Sequence, residues 1–345
     1  MTTYVAVALV TALLGYISSL RTLRLLWWIA PAAVLVLFSA NRYGIGTDFF
    51  LYQNYFERVG TSSLGDTLSL IPQEPGFVLL TWATRRLTSD PHLYFLVLAI
   101  LTVFPVLIAI RKASPLPVFS LFLYVALGFY PRSLNTARQS LAASVLLLAE
   151  AYRYERKWLW ATLTVVAPFI HVSALIAVVG LFALKGARVG TLAFPIALAT
   201  ALIAGATLIS FPALRDLIAG LGPRYEAYLG LTEGGEIGTA LRLAAVSSLV
   251  FLCLFLVRTR TDRVRNDRYT TFFSASALLL AIGLVNAQAV RVEEYFGIFG
   301  IIALPCAVEQ VKNRNLLVAA ISAVALAYLA MYVSAYGGVV PYVAR

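Results

Sequence analysis

Apolar runs alternate with short polar connections along almost the whole chain. Most of these runs approach the roughly 20 residues that a helix needs to cross a lipid bilayer. The hydrophobic pattern predicts spans at residues 4–20, 25–40, 93–110, 116–129, 136–152, 191–210, 239–257, 269–285, 295–310 and 316–336. We therefore predict an all-α polytopic membrane protein with about 10 to 12 transmembrane or re-entrant helices.

Composition supports this class and excludes a soluble domain. Hydrophobic residues make up 61% of the 345-residue chain and charged residues 12%, and the mean hydropathy is +0.85. An ordinary soluble domain carries about 25% charged residues. Cys253 and Cys306 both lie in apolar runs, so neither a disulfide framework nor a cysteine metal site is indicated. We predict a single transmembrane domain covering residues 1–345.

Basic residues predict the orientation of the chain, because cytoplasmic loops carry excess Lys and Arg. Most of the 27 basic residues fall in connections at 21–24, 111–112, 153–157, 185–188, 258–268 and 312–314. All of these connections can face the cytoplasm only if the segment 157–185 enters the membrane and returns to the same side. We therefore predict a re-entrant hairpin there, with Pro168 and His171 near its tip.

The same topology places most of the acidic residues on the outer side, including those of the external loops 41–91 and 211–238. Loop 41–91 is too polar for a span, but its apolar spacing predicts two short amphipathic helices lying at the membrane interface. The net charge of +11 follows from the cytoplasmic loops, which also attract anionic lipid. It does not indicate nucleic-acid binding.

The polar stretch 42–52 follows directly after an apolar run and combines a cation, two glycines and an acid. Such groups are rare in a chain this apolar unless they serve a function. Asp48 either caps the following helix or takes part in chemistry, and Tyr52 falls on the same helix. Gly44 and Gly46 lack the third glycine and the surrounding strand and helix of a nucleotide-binding loop, so nucleotide binding is not indicated.

A second polar stretch lies at the predicted outer mouth of a helix. Arg132, Asn135 and Arg138 or Gln139 recur at a spacing of three to four residues and share one helix face. Ser133 or Asn135 is expected to cap this helix. The planar fork of an arginine suits phosphate oxygens, while snorkelling to the membrane interface is the alternative for Arg132.

His171 is one of two histidines and stands among apolar residues at the predicted hairpin tip. It is either a hydrogen-bonded structural residue or a proton-transfer group. A third outer cluster comprises Arg291, Glu293 and Tyr295, with Tyr225 in the preceding external loop. Ordinary interfacial salt bridges are the alternative for the charged members. No paired His or Cys motif of a metal site occurs, so we predict no metal and no cofactor.

Five short motifs occur in the order found in a known family. They are R-Y-G-x-G-T-D-x-x-x-Y at 42–52, E-P-G-F at 74–77, N-x-x-R-Q-x-x-A at 135–142, H-x-S-A-L at 171–175, and Arg291 followed by Y-F at 295–296. With these motifs the chain resembles the EpsG-like family of exopolysaccharide and O-antigen polymerases, which are relatives of Wzy. The C-terminal region after Pro305 and the loop 211–238 carry no part of the resemblance.

The resemblance implies a polysaccharide polymerase in the bacterial inner (cytoplasmic) membrane. Its substrate is expected to be an oligosaccharide carried on undecaprenyl pyrophosphate, and the growing glycan is transferred to the next lipid-linked unit on the outer face. The expected partners are this lipid-linked oligosaccharide, the lipid bilayer, and the flippase and chain-length regulator of the same pathway. A GT-C-like architecture is compatible with the predicted helices.

The resemblance and the residue chemistry together assign roles to the polar groups. Such a transfer needs cations on the leaving pyrophosphate and a base near the acceptor hydroxyl. The expected catalytic residues are Asp48, His171 and Glu74, with Asp48 or His171 as the base and Glu74 as a sugar ligand. The expected pyrophosphate-binding residues are Arg138, Arg291, Arg132 and Arg42, acting in place of a divalent metal. The expected sugar-binding residues are Tyr52, Asn135, Gln139, Tyr225, Tyr295 and Glu293.

Three other functions fit the sequence less well. A lipid-linked glycosyltransferase or an O-antigen ligase would share the outward polar cavity. A polysaccharide or lipid transporter would place polar residues near the midplane of inverted repeats, and no such repeat is seen. A purely structural membrane subunit would leave the external polar clusters unexplained.

Overall fold

The computed structural model describes residues 1–20, 29–184, 237–258, 264–283, 287–309, 311–335 and 338–344. Within these ranges the chain is helical and contains no strand beyond an isolated bridge between Arg42 and Ala344. Thr2–Ser19, Pro91–Ala113 and Arg314–Ala335 are long and apolar enough to cross a membrane. Shorter apolar helices accompany them, which confirms the predicted all-α polytopic membrane protein.

The chain divides into two compact units, of which unit 1 covers Met1–Val178 and Lys312–Arg345. Its helices begin with α1 (Thr2–Ser19), α2 (Ile29–Ala40), α3 (Phe49–Val59), α4 (Leu64–Leu70), α5 (Pro75–Leu87) and α6 (Pro91–Ala113). They continue with α7 (Pro117–Ala126), α8 (Phe129–Ser133), α9 (Ala137–Tyr152) and α10 (Lys157–Ile170). Helix α9 packs against α6 and α10 and is buried on nearly every face, so it forms the centre of this unit.

Unit 2 covers Val179–Val311, and α11 (Ala174–Ala183) runs across the boundary. Its other described helices are α12 (Ile237–Arg258), α13 (Val264–Gly283), α14 (Ala287–Val292), α15 (Glu294–Gly297) and α16 (Gly300–Glu309). Helix α17 (Arg314–Ala335) returns to unit 1. A Cβ atom on Gly300 would lie 2.6 Å from the ring of Phe273, so glycine allows α16 to approach α13 closely.

The loop 41–91 contains three helices rather than the two predicted. Helices α3 and α5 are the amphipathic pair, and the buried face of α3 packs on an aromatic core shared with α5 and α6. The additional helix, α4, is short, and its first turn is capped by the Ser63 hydroxyl, which accepts from the Asp66 N–H. The S-x-x-D spacing of this cap is visible in the sequence, but seven residues carry too little periodicity to predict a helix.

The predicted span 295–310 is interrupted in the structure, because α15 ends at Gly297 and α16 begins at Gly300. The helical conformation also ends after α10 and resumes at α11. His171, predicted to lie near the hairpin tip, falls in this connection. The predicted span 191–210 and residues 211–236 of the predicted loop 211–238 lie outside the described residues. The membrane path of the hairpin and the single transmembrane domain stay predictions.

The segment 338–344 crosses the polar stretch 42–52 and ties it to α1 and α2. Tyr43 N–H donates to the Val343 carbonyl at 3.0 Å, and Gly46 N–H donates to the Gly338 carbonyl at 3.2 Å. Tyr342 stacks on Phe38 with ring centroids 3.9 Å apart. The Tyr342 hydroxyl also donates to the Phe38 carbonyl at 2.7 Å. We call the segment 338–344 the C-terminal strap.

Replacing Tyr342 by alanine is expected to lower the free energy of unfolding by about 1–3 kcal/mol, because the stacked ring and the hydroxyl donor are both lost. Thermal unfolding of the purified protein in mild detergent measures this change. Val343→Ala is the control, because Val343 contributes its carbonyl to the contact with Tyr43 and its side chain is exposed. Equal stability of the two variants would show that the strap is not anchored through Tyr342.

Candidate functional site

The side chains of Arg138 and His171, which are far from Glu74 in the sequence, both contact the Glu74 carboxylate. Arg138 Nη1 lies 2.5 Å from Glu74 Oε2, and His171 Nδ1 lies 3.0 Å from Glu74 Oε1. The Val172 N–H also donates to Oε1, at 3.2 Å. Glu74 and Arg138 are largely buried, with side chains 9% and 12% exposed, which leaves little solvent to screen their attraction. We call Glu74, Arg138 and His171 the Glu74 cluster.

Each member of the cluster sits at a helix end. Glu74 precedes α5, whose first residue is Pro75, and His171 follows the last residue of α10. Proline suits the first helical position because its missing N–H needs no partner there. A Cβ atom on Gly76 would lie 2.7 Å from the carbonyl oxygen of Phe169, so only glycine lets α5 and α10 approach this closely.

A buried contact at the other end of the α9 and α10 pair holds the two helices together. Glu150 is fully buried and accepts from Arg153 Nη1 at 3.0 Å and from Trp160 Nε1 at 2.9 Å. The Arg153 guanidinium also lies 5.3 Å from the centre of the Trp160 ring. These contacts set the alignment of α9, which carries Arg138, with α10, which ends at His171.

The protonation of Glu74 follows from its partners. Burial alone would raise the pKa of Glu74, but the hydrogen bond with His171 and the positive charge of Arg138 outweigh burial and lower the pKa well below its usual value. Glu74 is therefore an ionised carboxylate at neutral pH and can only accept hydrogen bonds. Nδ1 of His171 must then carry the proton, which leaves Nε2 as the nitrogen able to act as a base when the ring is neutral.

Tyr52 connects α3 to this cluster. Arg138 donates a hydrogen bond to the Tyr52 hydroxyl, and its guanidinium lies 5.5 Å from the centre of the Phe77 ring. Burial raises the pKa of Tyr52, and the nearby charge of Asp48 adds to this effect while Arg138 opposes it. Tyr52 therefore remains a neutral phenol and holds one edge of the Arg138 guanidinium.

The polar loop before α3 docks on the segment that leads into α9. Asn135 Oδ1 accepts from the Thr47 hydroxyl at 2.9 Å and from the Asp48 N–H at 3.2 Å. Gly46 has a φ of +87°, and a Cβ atom there would lie 2.7 Å from the Leu134 carbonyl oxygen. Glycine is needed at Gly46 both for this left-handed conformation and for the close approach.

Comparison with protein families decides the identity of the chain. The EpsG family matches residues 25–344, a range that contains the Glu74 cluster and the polar loop. The chain belongs to the EpsG family. This membership confirms the resemblance inferred from the motifs and supports a polysaccharide polymerase-type membrane function. Searches of the curated proteins and of the solved structures found no significant match.

The capping prediction for α9 of this EpsG-family protein is wrong. The residue before α9 is Thr136 rather than Ser133 or Asn135. The Ser133 hydroxyl donates to the Tyr130 carbonyl instead, because α8 adds a short helix just before α9. Asp48 does precede α3, but its side chain makes no capping hydrogen bond.

Three other predicted residues are buried in unit 1, and two of them have described contacts outside the Glu74 cluster. Arg132 Nε donates to the Tyr332 hydroxyl at 3.2 Å, and Arg42 Nη1 donates to the Ser39 carbonyl at 2.6 Å. The Arg42 guanidinium also lies 4.7 Å from the centre of the Phe95 ring. The third residue, Gln139, is 4% exposed. The pyrophosphate and sugar contacts assigned to them stay predictions.

The remaining predicted residues belong to unit 2 or lie outside the described ranges. Glu293 forms a buried ion pair with Arg242, while Tyr295 is buried and Arg291 is exposed. This ion pair is the salt-bridge alternative that the sequence left open for Glu293, and its partner is an arginine inside an apolar run. Tyr225 lies outside the described residues. The roles assigned to Arg291, Glu293, Tyr295 and Tyr225 stay predictions.

Glu74→Gln is expected to lower the free energy of unfolding at pH 7 by about 2 kcal/mol, because it leaves Arg138 buried without its counter-charge. The folded pKa of Glu74 lies below its unfolded value of about 4.3, so this stabilisation is complete above that pH and is lost as the pH falls further. The difference from wild type should therefore shrink when denaturation is measured below about pH 4.

Glu57→Gln is the matched control for that measurement. Glu57 is exposed and accepts from Gln53 one turn earlier in α3, so its replacement is expected to change stability by less than about 0.5 kcal/mol. If Glu74→Gln and Glu57→Gln behave alike at both pH values, the Glu74 carboxylate does not stabilise the fold through its ion pairs.

Proposed function

We propose that this protein is a glycosyltransferase that polymerises a polysaccharide on the outer face of the bacterial inner membrane. The donor is a glycan carried on undecaprenyl pyrophosphate, and the acceptor is the next lipid-linked repeat unit. The observation that carries this proposal is the Glu74 carboxylate held between Arg138 and His171. Membership of the EpsG family supports the polymerase reaction.

In the proposed reaction the acceptor hydroxyl loses its proton to Nε2 of His171. The acceptor oxygen then forms a bond to the anomeric carbon of the donor glycan. The bond from that carbon to the pyrophosphate oxygen breaks, and undecaprenyl pyrophosphate leaves with the electron pair. His171 later returns its proton to water, so the enzyme ends the cycle unchanged.

The geometry supports a different role for Glu74 than the sugar ligand expected from the sequence. Both of its oxygens are already engaged, one by Arg138 and the other by His171 and the Val172 N–H. In this proposal the carboxylate orients the imidazole and stabilises the imidazolium that forms during transfer. In other catalytic sites a carboxylate likewise orients a histidine base and stabilises its protonated form.

Arg138 is the proposed cation for the leaving pyrophosphate. Its guanidinium is anchored by Glu74 and Tyr52, so the remaining donors are held in a fixed direction before substrate binds. A planar guanidinium matches phosphate oxygens better than an ammonium does. With arginine in this position we propose that the reaction needs no divalent metal.

Asp48 is the second candidate for the base. It lies in the loop held by Asn135, and its charge acts on Tyr52, which in turn bonds to Arg138. A carboxylate at this position is also suited to bind an acceptor hydroxyl without removing its proton. Replacement of Asp48 and of His171 separates these roles.

His171→Asn is expected to slow chain growth by about 100-fold to 10,000-fold, because a general base contributes a factor of this size. The asparagine amide can still donate to Glu74 from the position of Nδ1, but it lacks Nε2. The measurement is the length distribution of surface polysaccharide in cells lacking this gene and complemented with each variant. Single lipid-linked repeats should accumulate.

His171→Gln is measured beside His171→Asn. Both variants must be present in the membrane at the wild-type level, so that a change in chain length reflects activity. Wild-type chain length in either variant would show that His171 is structural. Unchanged chain length with altered attachment or export would instead favour the ligase or transporter functions.

Arg138→Ala is expected to abolish chain growth while the protein remains inserted, because the leaving pyrophosphate loses its positioned cation. Arg138→Lys should restore only part of the rate, since an ammonium cannot form the paired contacts of a guanidinium. Arg291→Ala is expected to abolish growth as well if the sequence prediction for that residue holds. The assay uses purified protein with lipid-linked repeats, with and without a metal chelator.

Arg58→Ala is the control, because Arg58 is an exposed basic residue in the last turn of α3. Wild-type activity in the Arg138 variant would remove Arg138 from the site. Loss of wild-type activity in the chelator would overturn the metal-independent mechanism but leave the polymerase assignment intact.

A further inference from the structure

Two exposed aromatic rings stand beside the polar loop of unit 1. Tyr43 is 49% exposed and Phe50 is 58% exposed, on either side of the glycines that shape the loop. Their ring centroids are 6.1 Å apart and the ring planes are nearly perpendicular, at 89°. We call these two exposed rings the Tyr43 and Phe50 surface.

Buried neighbours hold this surface in place. Phe49 makes edge-to-face contacts with both rings, with its centroid 5.8 Å from that of Tyr43 and 5.2 Å from that of Phe50. Phe49 is itself buried and stacks on Phe95 of α6 at 4.5 Å. The backbone of Tyr43 is bonded to the C-terminal strap through Val343. The rings are therefore supported by packed aromatic side chains and by the strap, which reduces the entropy lost when a ligand binds.

The chemistry of the surface suits a saccharide. One face of a pyranose ring presents C–H groups, which pack against the negatively charged face of an aromatic ring. The hydroxyls at the edge of the sugar need polar partners, and Asp48, a partly exposed residue, lies directly before Phe49. Lipid chains have no hydroxyl groups and do not need a carboxylate beside the rings.

The surface is connected to the Glu74 cluster through described contacts. The charge of Asp48 acts on Tyr52, and Tyr52 accepts a hydrogen bond from Arg138. Tyr52 and Tyr295, which the sequence suggested as sugar ligands, are 1% and 0% exposed, so neither presents a ring face. Tyr43 and Phe50 provide the accessible faces that these tyrosines lack.

We propose that the Tyr43 and Phe50 surface binds the saccharide of a lipid-linked repeat unit by stacking, with Asp48 bonding to its hydroxyls. This inference rests on the proposed function, since it names the place where the acceptor glycan of that reaction binds. Tyr43 and Phe50 determine affinity for the glycan, whereas the Glu74 cluster carries out the transfer.

Phe50→Ala tests the inference with the purified protein and the lipid-linked repeat units that accumulate in cells lacking this gene. The expected result is an increase of about 10-fold in KM with kcat little changed, because one stacking contact is lost. Phe50→Tyr should restore the wild-type KM, since it keeps the ring. Phe50→Leu should not, although it keeps an apolar side chain of similar size.

Leu51→Ala is the matched control, because Leu51 is the next residue of α3 and is 41% exposed without belonging to the surface. Its KM should equal that of wild type. If Phe50→Leu restores the wild-type KM, the side chain is a lipid anchor and the inference is overturned. A KM in Phe50→Ala equal to that in Leu51→Ala also overturns it.

The proposed function and this inference fail in different ways. If wild-type protein builds no polymer from the lipid-linked repeats, the proposed function fails. If wild-type protein polymerises them but the KM of the Phe50 variants does not depend on the presence of an aromatic ring, only the proposed saccharide surface is overturned.

Discussion

The ionised carboxylate of Glu74, buried between Arg138 and His171, is the interaction on which the candidate site depends. An unpaired charge in so apolar a protein would be costly, and each partner offsets that cost for the other. The three groups come from the ends of α5, α9 and α10, so the ion pairs also fix how these helices meet. Removing Glu74 therefore leaves Arg138 charged and buried without its counter-charge, which links folding of this region to its chemistry.

Around the cluster, the polar loop is shaped from two sides. Asn135 accepts hydrogen bonds from the loop on one side, and the C-terminal strap pairs with it on the other. Loops carry function when a rigid scaffold positions them, and here the scaffold includes a segment almost 300 residues away in the sequence. Gly46 permits the close approach to Leu134 that this packing requires.

The aromatic residues near the site differ in burial, and their proposed roles differ accordingly. Buried Tyr52 presents its hydroxyl to Arg138, while exposed Tyr43 and Phe50 present ring faces. A buried tyrosine thus orients Arg138, whereas an exposed tyrosine is available to bind the glycan. The exposure of the ring decides between the two roles. In the proposed polymerase the buried groups perform the transfer and the exposed rings hold the glycan.

The sequence alone determined the class of the protein, because hydrophobic length and low charge leave no alternative to membrane-spanning helices. It also named Glu74, Arg138 and His171 as candidates, because polar groups stand out in an apolar chain and the motifs that contain them resemble the EpsG family. Only the tertiary structure decided that these three residues meet at one carboxylate, that Asn135 receives the loop rather than capping α9, and which aromatic rings are exposed. Contacts between residues about 60 to 100 positions apart depend on how helices pack, and the local periodicity of a sequence carries no information on that packing.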